Sequence, residues 1–119
     1  MKNAATQVAE ITPGDLRAVA EFLAREGDAP SPVAPDVVER RLKWRLLDNP
    51  ARQADIPLGW MLKTATREIV GIHLCMPQRF VCPDGEYTLV MSGGYFVAEN
   101  YRGFGLQLFL RYLKLGRNH

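Results

Sequence analysis

The sequence of 119 residues has few of the residue types that build metal centres and disulfide frameworks. It contains two cysteines, Cys75 and Cys82, and two histidines, His73 and His119. A tetrahedral zinc site needs four well-spaced nitrogen or sulfur ligands, and the two histidines are far apart in the sequence. Two cysteines without a secretory signal are more often reduced and packed than bridged. We therefore expect no metal site, and two reduced, packed cysteines.

Long apolar runs are also lacking. No segment approaches the ~18 consecutive apolar residues that a membrane-spanning helix needs. The opening stretch, MKNAATQVAEITPGD, has no apolar core of the length that signal peptides carry. The sequence therefore predicts a cytoplasmic protein without a membrane partner.

A large excess of one sign of charge is lacking as well, because the formal net charge is only +2. A nucleic-acid-binding domain usually shows a basic face or run, so the near balance argues against a nucleic-acid partner. The closest basic cluster alternates with apolar side chains, which is typical of a solvated helix face. It comprises Arg40, Arg41, Lys43 and Arg45, interleaved with Leu42, Trp44 and Leu46.

The residues that are present predict one α+β domain over residues 1–119, since 47% of them are hydrophobic and can bury a core. Alternating segments predict strands, and apolar residues at i, i+3, i+4 and i+7 predict helices. In chain order the predicted elements are a strand at 6–11, a helix from Pro13 to Gly27, a helix at 36–47, three or four strands, and a helix at 103–115. The strand signals lie at 58–64, 68–76, 79–82, 86–90 and, as a buried strand, 87–97. Short turns at 65–67 and 83–85 indicate antiparallel hairpins.

The segment from Tyr87 to Val97 is almost entirely apolar or small. That composition favours a strand covered on both faces, in the middle of a sheet. It contains Ser92, Gly93 and Gly94, and paired glycines in a strand indicate a bulge or a close approach by another backbone or a ligand.

Arg102, Gly103, Phe104 and Gly105 stand between this strand and the last predicted helix. The first N–H groups of a helix have no internal partner, and the helix dipole makes that end slightly positive. Glycines there let a phosphate approach the backbone, and an arginine adds a cation. A P-loop is excluded because no Lys-Ser/Thr pair follows, and a dinucleotide fingerprint is excluded because Leu108 occupies its third glycine position. The segment therefore predicts a pyrophosphate-binding turn of another kind.

The stretch VAENYRGFGLQLFLRYL, residues 97–113, resembles the acyl-coenzyme A binding motif of the GNAT superfamily of N-acyltransferases. The motif has the form Gln/Arg-x-x-Gly-x-Gly/Ala. Arg102 and Gly105 match its first two fixed positions, Gly103 matches an additional glycine of many members, and Gln107 departs from its last position. The resemblance implies these coenzyme A contacts: Phe96, Val97, Arg102, Gly103, Phe104, Gly105, Leu106 and Gln107.

The resemblance covers nearly the whole chain, because the predicted order of elements is also that of the family. It implies a mostly antiparallel mixed sheet flanked by helices, without the usual C-terminal strands, and hence an incomplete domain. It also implies acetyl-CoA as co-substrate without a metal, an amine as acceptor, and a possible homodimer that completes the sheet.

In the family an amine attacks the bound thioester directly, with a carboxylate as base and a tyrosine as acid. Glu86 and Glu99 are candidate bases, and Tyr95 and Tyr101 are candidate acids, although loop, packing or surface roles are favoured for all of them. Trp44 and Trp60 are expected in the core or at its rim. Two alternatives stay open: a non-catalytic coenzyme A-binding or regulatory module, and a structural fragment that associates through its exposed strand.

Overall fold

The computed structural model describes residues 6–27 and 33–116, and His119 lies outside them. In this part of the chain a strand is followed by two helices, three strands and a last helix, which is the predicted order. The elements are β1 (Thr6–Glu10), α1 (Leu16–Glu26), α2 (Pro35–Leu42), β2 (Gly59–Thr64), β3 (Ile69–Cys82), β4 (Gly85–Val97) and α3 (Leu106–Gly116). Short turns of 3-10 helix lie at Pro13–Asp15 and Glu99–Phe104, and a π-helical turn, Lys43–Leu47, extends α2.

Among the described residues the four strands form one sheet in the order β1-β2-β3-β4, and all three pairings are antiparallel. Both predicted hairpins are confirmed. The predicted break at residues 77–78 is wrong, because β3 runs without interruption from Ile69 to Cys82. The pairing of β2 with β3 ends at Gly59 opposite Leu74. Pro77 therefore lies where β3 pairs only with β4, and its missing N–H costs no ladder bond.

The prediction that the last strand lies in the middle of the sheet, covered on both faces, is wrong for the described residues. β4 is the edge strand of this sheet, and most of its side chains are exposed. Its apolar composition therefore reflects an uncovered surface and an unpaired edge, two features that natural proteins usually protect.

The paired glycines of β4 form a β-bulge, as predicted. Leu74 pairs with Gly94 and Cys75 pairs with Ser92, so that Gly93 is the extra residue. The Gly93 carbonyl accepts a hydrogen bond of 2.8 Å from Arg45 Nη2, which comes from the π-helical turn. Arg45 is thus partly buried against the bulge and does not belong to the solvated face expected for its basic cluster.

Two helices cover one face of the sheet, and α3 covers part of the other. On the first face α1 buries Leu16, Val19, Ala20 and Phe22. The cluster around them joins α1, α2, the π-helical turn and strands β2 and β3. On the second face the buried side chains are those of Trp60, Leu62, Val70, Cys75, Val97 and Leu108.

Both cysteines are free thiols: Cys75 is buried, as predicted, whereas Cys82 is exposed at the tip of the β3–β4 hairpin. Burial raises the pKa of Cys75 to about 12. Within residues 6–27 and 33–116 no group of three or more histidine, cysteine, aspartate or glutamate side chains is arranged to hold a metal ion. None of the described helices combines the length and apolar character that crossing a bilayer requires.

Candidate functional site

The connection from β4 to α3 is a 3-10 turn, and the helix starts later than predicted. The Ala98 N–H donates to the Val70 carbonyl at 2.8 Å, which holds the end of β4 against β3. Glu99–Phe104 then forms the 3-10 turn, and α3 begins at Leu106 instead of Gly103. The Gly105 N–H donates to the Arg102 carbonyl at 3.2 Å, so the turn uses one of the amides expected to face a ligand.

The opening of α3 leaves backbone N–H groups available. Its first acceptor is the Gly105 carbonyl, which receives hydrogen bonds from the N–H groups of Leu108 (3.0 Å) and Phe109 (3.3 Å). The N–H groups of Leu106 and Gln107 come earlier in the helix and therefore have no acceptor within it. Together with the helix dipole they form a positive end suited to an anion.

The two glycines of the motif differ in how closely other atoms approach them. A Cβ atom at Gly105 would collide with the Tyr95 hydroxyl and would lie 3.1 Å from Val97 Cγ2. A larger residue at this position would therefore have to displace the half-exposed Tyr95 side chain. A Cβ atom at Gly103 would meet nothing within 4 Å. The fold itself does not require a glycine there, and the space above this residue is open.

The other predicted contact residues are distributed over both faces of the sheet. Arg102 Nε donates to the Val97 carbonyl at 3.3 Å, which holds the guanidinium over the end of β4. Phe104 packs at the surface with its ring 6.4 Å from that of Tyr101. Phe96 points to the opposite face, where its ring lies 5.9 Å from that of Phe22. The Phe96 side chain is therefore unavailable to a ligand on the α3 face.

Gln107 and Leu106 are both exposed in the first turn of α3. Gln107, the departure from the family motif, therefore points away from the core. The contact role of all eight predicted residues remains a prediction, which the proposal below takes up.

The candidate acids and bases are mostly remote from one another. Glu86 lies in the distal part of the β3–β4 hairpin, with Oε1 3.9 Å from Arg79 Nε. Glu99 is an exposed residue of the 3-10 turn, as expected for a loop charge. Trp60 is buried in the core, whereas Trp44 is 71% exposed. The structure brings only Tyr95 into a cavity near the opening of α3.

The sequence reasoning missed this cavity, which has a volume of about 450 Å³ and is lined by His73, Ser92, Tyr95, Leu106 and Phe109. His73 is buried and its Nε2 lies 2.8 Å from Ser92 Oγ. Its Nδ1 is buried and makes no close hydrogen bond among the described residues, while the ring interacts weakly with the Leu108 backbone. Burial lowers the pKa of His73 below its ordinary value of 6.5, with a smaller opposing effect from the Leu108 backbone.

Three aromatic rings surround the His73 imidazole. The ring centroids of Tyr95, Phe109 and Tyr112 lie 5.3, 6.1 and 4.9 Å from it. Tyr95 and Phe109 also line the cavity, and Tyr112 is held by a 2.9 Å hydrogen bond from its hydroxyl to the Val90 carbonyl. The signal in the sequence is a single histidine, His73, within the otherwise apolar segment IVGIHLCM.

Comparison with protein-family models gave no match, and comparison with curated proteins gave none either. Solved structures do match. A GNAT family acetyltransferase of Staphylococcus aureus aligns with a TM-score of 0.64 at 15% identity, over 96% of this chain and 79% of its own. The aminoglycoside 6'-N-acetyltransferase of Acinetobacter baumannii aligns with a TM-score of 0.62 at 14% identity, over 93% of this chain and 70% of its own.

An acetyltransferase of Trypanosoma brucei aligns with a TM-score of 0.61 at 21% identity, over 96% of this chain and 76% of its own. At such low identities the likeness concerns the fold. The chain has the fold of the GNAT acetyltransferases: an antiparallel sheet with α1 and α2 on one face and α3 on the other. The resemblance stated from the sequence motif is thereby confirmed at the level of fold.

Proposed function

We propose that this protein transfers an acyl group from acetyl-CoA, or a related acyl-CoA, to an amine. The observation that carries the proposal is the opening of α3 at the end of the edge strand β4. There the N–H groups of Leu106 and Gln107 have no acceptor within the helix. The open space above Gly103 lies in the preceding turn. The GNAT acetyltransferase fold supports the same assignment.

Each part of the proposed site has a distinct task toward the co-substrate. The N–H groups of Leu106 and Gln107, with the Arg102 guanidinium, bind the negatively charged pyrophosphate. Glycine at position 103 lets the pyrophosphate approach the turn without a side chain in its way. The pantetheine arm, which carries amides, follows the free edge of β4 and binds the backbone groups of Val97 that face this edge. Those of Phe96 face β3, because Phe96 pairs with Ile72 two residues from the hydrogen bond between Ala98 and Val70. No metal takes part in this proposal.

A thermal-shift titration with acetyl-CoA tests the proposal directly. A ligand that binds only the folded state stabilises it by about 2.7 kcal/mol at a concentration of 100 Kd. We expect the melting temperature to rise in a saturable manner. Arg102→Ala removes one cation from the pyrophosphate and is expected to raise Kd about tenfold, a loss of about 1.4 kcal/mol. Arg79→Ala, in the distal hairpin, is the matched control and should leave Kd unchanged. An unchanged melting temperature in excess acetyl-CoA would refute the proposal.

Gly103→Val tests the open turn separately. Because a Cβ atom at this position would meet nothing within 4 Å, the melting temperature without ligand should stay close to that of the wild type. The same side chain would occupy the space proposed for the pyrophosphate, so we expect Kd for acetyl-CoA to rise about tenfold or more. Equal binding by Gly103→Val and wild type would place the pyrophosphate elsewhere.

The alternatives predict different results. A coenzyme A-binding module without catalysis would show the thermal shift but release no free thiol from acetyl-CoA with any amine. A fragment that associates through β4 is favoured by the exposed side chains of Val81, Leu89 and Met91 in the distal hairpin. In that case two copies would pair their β4 edges, and sedimentation would give a dimer whether or not acetyl-CoA is present.

A further inference from the structure

A second cavity, with a volume of about 360 Å³, lies against β4 on the face of the sheet that α1 and α2 cover. Its walls are mainly apolar side chains of α1, α2 and β3, among them Leu23, Val38 and Leu74. On its remaining side are residues 93–96 of β4, which lead directly to Val97, where the pantetheine arm is proposed to bind. Small-molecule sites are commonly cavities of this size with apolar walls and a few polar groups. The cavity therefore lies beside the proposed path of the co-substrate and is large enough for a small acceptor.

The charged side chains of this cavity are all of one sign. Arg41, at the end of α2, and Arg45, in the π-helical turn, both line it, and no aspartate or glutamate of the described residues does. Neither arginine forms an ion pair within residues 6–27 and 33–116, whereas Arg17, Arg25 and Lys43 of the same helical region do. This arginine cavity therefore carries positive charge that no carboxylate of the described chain balances.

Arg45 is held in place and still has donors to offer. A guanidinium carries five N–H groups. Nη2 donates to the Gly93 carbonyl at 2.8 Å and lies 3.1 Å from the Met76 sulfur. Nε and Nη1 make no hydrogen bond in the part of the chain that the structure describes. Partly buried charges are normally paired, so the remaining donors of Arg45 are suited to an anion next to the bulge of β4.

A neighbouring groove shows what distinguishes the arginine cavity. This groove, of about 600 Å³, is also bordered by Arg45, but the Asp48 carboxylate belongs to its wall. Its other arginine, Arg79, has Nε 3.9 Å from Glu86 Oε1. Negative groups thus offset the positive charge of the groove, whereas nothing described offsets that of Arg41 and Arg45 in the arginine cavity.

We propose that the arginine cavity binds the amine acceptor and that Arg41 and Arg45 hold a carboxylate of that acceptor, an inference that rests on the proposed acyl transfer. Guanidinium groups bind carboxylates through short, charge-assisted hydrogen bonds. The apolar walls accept an apolar side chain, so the acceptor class is a small amino acid with such a side chain. A polycationic amine is disfavoured, because two cations and no described carboxylate would face it.

The reaction with such an acceptor balances without another reagent. The neutral amine nitrogen forms a C–N bond to the thioester carbonyl carbon, and the C–S bond breaks. One proton of the amine ends on the thiolate. The products are an N-acyl amino acid and coenzyme A with a free thiol.

Isothermal titration calorimetry on the full chain tests the carboxylate with matched pairs of ligands. L-Phenylalanine is compared with 2-phenylethylamine, and L-leucine with 3-methylbutylamine, since the members of each pair differ only in the carboxylate. We expect the amino acid of a pair to bind about tenfold more tightly or better. Arg41→Ala should remove this difference by raising Kd for the amino acid about tenfold, with Kd for the simple amine unchanged.

Arg40→Ala is the matched control, because Arg40 is an exposed arginine of the same helix that does not line the arginine cavity. It removes the same charge from the protein and should leave the preference for the amino acid unchanged. The melting temperature of Arg41→Ala without ligand should equal that of the wild type, which separates loss of the carboxylate contact from loss of the fold.

Equal binding within both pairs, or no binding of any of the four compounds, overturns this inference. So does tighter binding of O-phosphoethanolamine than of either amino acid. In each of these cases a thermal shift with acetyl-CoA, together with release of free thiol in the presence of another amine, leaves the proposed function intact. A protein that binds the amino acids but shows no thermal shift with acetyl-CoA overturns the proposed function, and with it the role of the arginine cavity as an acceptor site.

Discussion

The two faces of the sheet differ in how completely they are covered. On the face of α1 and α2, apolar side chains form a continuous buried cluster. On the face of α3 the buried cluster is smaller. Next to it several large apolar side chains are 43–63% exposed, namely those of Tyr95, Leu106, Phe109, Leu110 and Leu113.

The difference separates the scaffold from the site. Burial on the α1 and α2 face supplies most of the hydrophobic stabilisation, because that stabilisation is proportional to the apolar area removed from water. The α3 face holds the open turn at Gly103, the start of α3, and the cavity with His73 and Ser92. Substitutions of buried residues on the first face should therefore act on stability, and substitutions on the second should act mainly on ligands.

On the closed face, which α1 and α2 cover, Phe22→Ala should have the largest effect on stability. The Phe22 side chain is 1% exposed, packs against the ring of Phe96, and belongs to the main cluster. Its removal leaves a cavity, and we expect the free energy of unfolding to fall by about 3–5 kcal/mol. Urea denaturation monitored by circular dichroism measures the change. Leu110→Ala, on the open face that α3 covers only in part, is the control. The Leu110 side chain is 48% exposed, so its truncation should change the free energy of unfolding by less than about 0.5 kcal/mol. Equal effects of the two substitutions would show that the faces do not differ as described.

Arg45→Ala tests the contact between the π-helical turn on the closed face and the bulge of β4. The Arg45 guanidinium donates to the Gly93 carbonyl at 2.8 Å and lies 3.1 Å from the Met76 sulfur. Its removal leaves the carbonyl of the bulge without this donor, and we expect a loss of about 1–3 kcal/mol in the free energy of unfolding. Arg41→Ala, an exposed arginine of α2, is the control. Arg45→Ala with wild-type stability would mean that water replaces the guanidinium at no cost.

The sequence predicted the order of elements because hydrophobic periodicity and turn residues are local signals. The stripe of α1, the hairpin turns and the glycine bulge at Gly93 were all expected and are all present. The break at Pro77 was wrongly predicted, since a proline is tolerated where the neighbouring strand has already ended. That ending depends on the length of β2, which the local sequence around Pro77 does not contain.

The candidate site was only partly predictable for a similar reason. The motif predicted a helix start at Gly103, but the 3-10 turn at Glu99–Phe104 uses these residues and α3 begins only at Leu106. His73 and Ser92 are nineteen residues apart. Their contact depends on the register of β3 with β4 and on the bulge that shifts it. Neither residue alone suggests a pair, so a pattern read along the chain misses it.

The smallest expected effect is the pH dependence of the free energy of unfolding that His73 causes. This residue lies where the buried core meets the candidate site. Burial lowers the pKa of His73 below its ordinary value of 6.5. Below pH 6.5 the unfolded chain therefore binds a proton that the folded chain does not. Stability is full above pH 6.5 and declines as the pH falls toward the pKa of the folded state, by at most about 1.4 kcal/mol per pH unit.

Urea unfolding of the wild type and of His73→Gln between about pH 5 and 7.5 measures this dependence. The carboxyl groups of Asp36 and Glu39, whose pKa values are lowered by hydrogen bonds from Arg17 and Lys43 respectively, contribute equally to both proteins and cancel in the comparison. His73→Gln cannot titrate, so its free energy of unfolding should be flatter with pH than that of the wild type. Parallel curves for the two proteins would mean that the imidazole is as readily protonated in the folded state as in the unfolded one. Its burial among Tyr95, Phe109 and Tyr112 would then not disfavour the charged ring.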